Sequence, residues 1–260
     1  MHAHEQAGKS IHVHTVDTDV IVILAGAFHN LIAIQPLADI WVAFGMGRKN
    51  RFYHINTICA SFGEPQSRLL QYFMLFLVSA FNGKGKKSVW QAWQINKEVT
   101  ETFMYLVCHP FQQLDLDDDH FQKLERLTVI LYDKTSNLTC INGTRRELFC
   151  HKNKAMNKLP PTKDVLLQHV RRAVYQARIW TISTQTHMVI PSPQDFAWIN
   201  VSQSWVPVWV TIPEVLVRAG SSSNVSAREI VRISNAAKLI LTAHHFATAS
   251  VLHRTLQTVC

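Results

Sequence analysis

Between residues 11 and 16 the chain alternates apolar and polar, Ile11-His12-Val13-His14-Thr15-Val16, the period-two pattern of a strand with one buried face. Asp17-Thr18-Asp19 ends that pattern. The run from Val20 to Leu31 is apolar and suits a buried helix, although its β-branched start leaves a strand open. Asp39 to Gly45 is a short apolar strand ending in glycine, and Arg51 to Ile55 is a further strand. Strand, helix and strand in this order, with short connections, predict an α/β layer. Its strands near residues 11–16 and 39–44 should be adjacent and parallel.

The pattern then changes character. Gly83-Lys84-Gly85-Lys86-Lys87 is a basic glycine turn that opens a helical stretch from Ser88 to Val107. Asp117-Asp118-Asp119 stands before Phe121, Leu124, Leu127 and Leu131, an apolar stripe at helical spacing. Acids there complement the positive start of a helix, with Lys134 near its other end. This reading makes the acidic run a helix start rather than a metal site. Pro160-Pro161-Thr162 caps another helix, whose stripe is Val165, Leu166, His169, Val170 and Ala173. His169 on that stripe reads as a core histidine, with Arg171, Arg172 and Arg178 on other faces. The segment from Pro191 to Pro213 holds four prolines and three tryptophans (Trp198, Trp205, Trp209) and predicts an extended strap packed on the body. The part from about Ser88 to Ile182 is expected to be mostly helical.

Composition narrows the classes. A length of 260 residues, 47% of them apolar, suffices for one large domain or two small ones with a buried core. The 26 Lys and Arg outnumber the 18 Asp and Glu, and nucleic acid is the commonest partner for such a balance. The longest apolar stretches, Val20 to Phe28 and Leu69 to Phe81, fall short of the ~20 residues a membrane span needs, so no membrane partner is expected. The polar start Met1-His2-Ala3-His4-Glu5-Gln6 lacks the apolar segment of a signal peptide, which predicts an intracellular protein, nuclear or cytoplasmic. Five widely spaced cysteines show no pairing pattern and read as reduced thiols. The sequons at Asn137, Asn142, Asn200 and Asn224 then carry no meaning.

The chemistry centres on Asp17 and Asp19, two carboxylates just past a strand. Ligands of a parallel α/β sheet bind beyond the carboxyl ends of its strands. Carboxylates placed there can hold Mg²⁺, which lowers the pKa of bound water and stabilises charge building on a phosphate. An Asp-x-Asp pair also opens phosphohydrolases of the haloacid dehalogenase type. Asp17 would then be the nucleophile and Asp19 the acid/base, with Lys86 and the Asp117-Asp118 pair completing the set. A non-catalytic interaction module is the third reading.

Several runs together resemble one family, in its own order: Val16-Asp17-Thr18-Asp19-Val20, Asp39 to Gly45, and Asn82-Gly83-Lys84-Gly85-Lys86-Lys87-Ser88-Val89-Trp90. Further matching runs are Glu125 to Asp133, Arg146 to Cys150, Pro160-Pro161-Thr162 and Gln203 to Trp209, so that the likeness spans roughly residues 1 to 218. The family consists of uncharacterised animal proteins that often accompany mobile elements and resemble the PIN and flap-endonuclease nucleases. The resemblance implies a PIN-like parallel sheet core followed by a mainly helical region. It divides the chain into a partial nuclease core (1–110), a helical region with a Pro/Trp-rich strap (111–218) and a poorly ordered tail (219–260).

It also implies three acidic clusters. A Glu-Glu-Ala-Asp type motif is absent, the chain starting inside the helix that would follow it. The aspartate pair is present as Asp17 and Asp19. A Thr-Gly-Cys-Asp segment is replaced by Tyr72 to Val78, which holds no acid. Two carboxylates would hold Mg²⁺ weakly, so the resemblance implies a catalytically incomplete nuclease-like domain. The glycine turn remains: Gly83, Lys84, Gly85, Lys86 and Lys87 are expected to contact a nucleic-acid backbone without reading its sequence. Codon freedom lets Leu70 to Phe76 and Ala219 to Ala249 be read in a second frame as family-like peptide. This predicts that both segments are out-of-frame translations and that the tail packs poorly.

Overall fold

The computed structural model describes residues 10–34, 39–47, 50–78, 81, 83–109, 111–182 and 189–211. The described residues are mixed α/β and mostly helical, with a small mixed sheet and a separate two-stranded one. The described residues fall into two compact units, one formed by those up to 74 and from 177 to 190, the other by those from 75 to 176 and 191 to 211.

In the first unit, β1 (Ser10–Thr15) leads into α1 (Thr18–Ile34), followed by β2 (Asp39–Phe44), β3 (Arg51–His54), α2 (Ile55–Phe62) and the start of α3 (Glu64–Val78). β1 and β2 pair in parallel, Val13 opposite Val42 and Thr15 opposite Phe44, as the strand–helix–strand order predicts. β3 returns antiparallel to β2, with Tyr53 opposite Val42. The reason is length: only six residues separate Phe44 from Arg51, and a parallel return needs a crossover of about a dozen. The sheet is thus mixed and three-stranded. Val20 to Leu31, left open in sequence, is helix. Its Ala25, Ala27, Phe28 and Leu31 cover Val13, Ile40 and Val42 on one sheet face, with Ile55 and Cys59 of α2 beside them. Full burial of each large aliphatic side chain there contributes about 1.5–3 kcal/mol.

The second unit holds α4 (Lys86–Ile95), α5 (Val99–Cys108), α6 (Asp119–Tyr132), α7 (Ile141–Cys150) and most of α8 (Lys163–Ile182). The stretch from Ser88 to Val107 is two helices, because Asn96 ends α4, its amide bonded to Ala92 O. The stripe of α6 is buried at Phe121, Leu124, Leu127 and Leu131. Asp118 is its N-cap, accepting from the amides of His120 (2.7 Å) and Phe121 (3.4 Å), and Asp119 pairs with Lys123 at 3.3 Å. The acidic run is therefore a helix start. Thr162 Oγ1 accepts from Val165 N at 3.4 Å, so Pro160-Pro161-Thr162 opens α8 as expected.

Arg172, read in sequence only as lying off the stripe of α8, is buried, its guanidinium 4.9 Å over the Trp209 ring and its Nη1 donating to Val208 O. Burial holds its pKa down at about 10, still cationic at neutral pH. The strap is likewise more regular than predicted, folding into a hairpin of β4 (Trp198–Val201) and β5 (Ser204–Pro207). Three polar ties fix it to α8. Tyr175 Oη donates to Pro191 O, Arg172 to Val208 O, and buried Asp164 accepts from both the amide (2.7 Å) and hydroxyl (2.5 Å) of Thr211.

His169 is a core histidine as expected. Part of the residue stays accessible, but its imidazole lies against Phe76 and Phe81, and its Nε2 donates to Phe76 O at 2.6 Å. No described helix is long and apolar enough to cross a membrane. Among the described cysteines Cys59 is buried, Cys108, Cys140 and Cys150 are exposed, and all four are free. The predicted tail, residues 219–260, lies outside the described residues.

Candidate nucleic-acid interface

Asp17 sits where the sequence places it, past the carboxyl end of β1, but its carboxylate has a structural task. Oδ1 accepts from Asp19 N at 2.9 Å, while Thr15 Oγ1 accepts from Asp17 N at 3.0 Å. A threonine turn and an aspartate N-cap thus carry the chain from β1 into α1. Asp19 falls in the first turn of α1, where a carboxylate is favoured by the helix dipole. The sequence signal for this was present: an aspartate followed by a second acid and an apolar run is also a helix start.

Asp39 does not join the pair. It occupies the opposite end of the parallel strands, opposite Ser10, roughly 17 Å of strand away from Phe44. There its carboxylate pairs with His54 Nε2 at 3.3 Å. Among the described residues no group of three or more His, Cys, Asp or Glu side chains is placed to hold a metal ion. The sequence-predicted Mg²⁺ pair, Asp17 and Asp19, is joined by no third ligating side chain among the described residues, and a hard cation needs more oxygen ligands than two side chains supply.

The glycine turn lies in the second unit. Gly83 adopts φ +72, the left-handed region that a side chain would strain, and so reverses the chain after Phe81. Lys84 N closes the turn on Phe81 O at 3.0 Å. Gly85 is the N-cap of α4 with ordinary extended dihedrals and no side chain to cap the first amides. A Cβ added at either glycine would meet nothing within 4 Å, which leaves the turn open to close approach. Lys86 and Lys87 are exposed in the first turn of α4.

Lys84 is placed differently from its two neighbours. Its ammonium lies 4.7 Å from the centroid of the Tyr132 ring, a cation–π contact. Burial, then the positive charges of Lys154 and Lys134, hold its pKa below the usual lysine value. Burial also pushes the Tyr132 phenol up to about 12.

Charge is unevenly divided. Residues 1–74 carry five basic and five acidic side chains, whereas residues 75–176 carry 15 Lys and Arg against 10 Asp and Glu. Within the second group several cations are matched: Lys123 with Glu101 and Asp119, Lys152 with Asp133, Lys163 with Glu125, and Arg171 with Asp115. Arg126 and Arg145 donate to backbone carbonyls. Lys84, Lys86 and Lys87 stand at the glycine turn itself, and Lys134 and Lys154 lie near enough to Lys84 for their charges to act on it. The sequence reading gave Lys134 only a helix-end role and did not name Lys154, so neither was among the residues expected to contact nucleic acid. Nothing in a linear sequence shows which lysines folding brings beside one another. Compared with protein-family models, curated proteins and solved structures, the chain finds no match.

Proposed function

We propose that the chain is a catalytically incomplete domain of the PIN and flap-endonuclease kind that binds nucleic acid through its phosphate backbone. One observation carries the reading: an open glycine turn and a helix start without a side-chain cap bear Lys84, Lys86 and Lys87, with Lys134 and Lys154 close enough to Lys84 for their charges to act on it. Backbone amides and ammonium groups together match phosphate oxygens, and neither reads a base. The absence of cutting in this reading rests on Asp17, whose carboxylate is engaged as a helix cap and which belongs to no group of three or more metal-ligating side chains among the described residues.

Fluorescence anisotropy with two unrelated labelled oligonucleotides tests the binding. Both should bind alike, and affinity should fall steeply between 50 and 200 mM salt as counterions are recaptured. Lys86→Ala with Lys87→Ala should weaken binding and flatten the salt dependence. Cleavage in Mg²⁺ or Mn²⁺ should stay at background. Failure to bind at 50 mM salt would overturn the binding half. Metal-dependent cleavage abolished by Asp17→Asn would overturn the catalytic half. Mg²⁺-dependent turnover of a generic phosphoester lost in the same variant would favour the dehalogenase-type reading instead.

A further inference from the structure

Three consecutive residues at the end of α6 each hold a different neighbour. Tyr132 lies beneath the Lys84 ammonium. The Asp133 carboxylate takes the Lys152 ammonium at 2.5 Å and the Thr135 hydroxyl at 2.8 Å. Lys134 Nζ donates to Gln91 Oε1 of α4 at 2.7 Å. The Lys152 pair draws the segment after α7 toward the end of α6. That segment then turns at Asn153, which has a left-handed φ of 47, and Lys154 N bonds back to Leu148 O at 3.0 Å. Lys154 is thereby held close enough to Lys84 for their charges to interact.

Lys84, Lys134 and Lys154 thus come from three separate connections and are brought together by specific side-chain ties. The carboxyl end of α6 supplies some compensation, since a helix C-terminus favours cations. Asp133, the carboxylate at this end, is already matched by Lys152. Holding three ammonium groups together, Lys134 and Lys154 exposed and Lys84 partly buried, opposes folding through their repulsion. An anion with several charges along its length removes that repulsion.

We propose that Lys84, Lys134 and Lys154 form a second set of phosphate contacts continuous with the Gly83–Lys87 turn. A nucleic-acid strand then runs from the start of α4 across the end of α6. This inference rests on the nucleic-acid reading and extends it to residues outside the turn. The ligand class is a phosphodiester backbone, which spans both places, rather than a single free phosphate, which occupies one. Tyr132 positions Lys84 and is not itself a contact.

The test uses the full chain and a labelled single-stranded oligonucleotide, titrated at several salt concentrations. Lys134→Ala with Lys154→Ala should weaken binding about tenfold at 50 mM salt and lower the salt slope by about 1.4, two phosphate contacts at ~0.7 each. Lys134→Arg with Lys154→Arg keeps the charge and should keep the slope. Amine acetylation followed by mass spectrometry gives an independent reading on the unmodified protein: Lys134 and Lys154 should be protected by the oligonucleotide and not by the same concentration of orthophosphate. An unchanged slope in the alanine pair, with a lowered slope in the Lys86→Ala/Lys87→Ala pair, would overturn this inference and leave the binding function standing. No binding by the unmodified chain would overturn both. Should the alanine pair lose its helical circular dichroism, the footprint decides, and unprotected Lys134 and Lys154 refute the proposal.

Discussion

Acidification to pH 5 should destabilise the protein through His169. In the folded chain burial is the largest influence on this imidazole, the bond to Phe76 O partly opposes it, and the Arg172 charge adds to it; its pKa is pushed down to about 4. In the unfolded chain the same ring titrates near 6.5. Above pH 6.5 both states are neutral and the site contributes no pH dependence. Below it the unfolded chain takes up a proton that the folded chain refuses, so stability falls as pH falls toward 4. Linkage puts the loss at about 2 kcal/mol between pH 8 and pH 5, and about 3 kcal/mol once the folded pKa is passed. The assay is urea unfolding at both pH values, for the unmodified chain and for His169→Gln. Glutamine keeps a donor for Phe76 O but cannot titrate. The variant should be less stable than the unmodified chain at pH 8 and lose less on acidification, the difference between the two losses being the ~2 kcal/mol. Equal losses in both proteins, or an imidazole that titrates near 6.5 by nuclear magnetic resonance in the folded state, would refute the reasoning.

Three further outcomes follow from side chains with defined partners. Asp17→Ala should cost about 1 kcal/mol in urea unfolding while Asp17→Asn costs a few tenths, because asparagine also caps helices; a larger loss in the asparagine variant that appears only with Mg²⁺ present would point to a metal instead. Asp118→Ala should cost about 1 kcal/mol by leaving the first amides of α6 uncapped, and an unchanged midpoint would contradict the cap. Asp164→Ala should cost about 1–3 kcal/mol, since it strands the Thr211 amide and hydroxyl. Limited proteolysis should then cut between residues 191 and 211, and resistance equal to the unmodified chain would show that the hairpin is held by other means.

Much of the local structure was readable in the sequence. Alternation identified β1, helical spacing identified α6 and α8, and strand–helix–strand order identified the parallel pairing of β1 with β2. These are short-range properties, set by which side chains must leave water together. The direction of β3 was also implicit, in the six residues before it. The aspartate pair shows the limit of a motif. Asp-x-Asp past a strand suits a cation and a helix start equally, and only the folded chain shows the 2.9 Å bond by which Asp17 caps α1.

What the sequence alone determined is therefore β1, β2, α6, α8 and the predominantly helical stretch between residues 88 and 182, the positive balance of the chain and the basic glycine turn. The tertiary structure decided which charges are matched. Lys152 and Lys134 are two residues of the same type, yet one neutralises Asp133 and the other reaches Gln91. Arg172 and Arg171 are adjacent, yet one is buried over Trp209 and the other pairs at the surface with Asp115. The physical reason is that an ionic or cation–π partner acts over a few ångströms of space, whatever its separation along the chain. Lys84 is 48 residues from Tyr132, and only folding brings its ammonium to 4.7 Å from that ring.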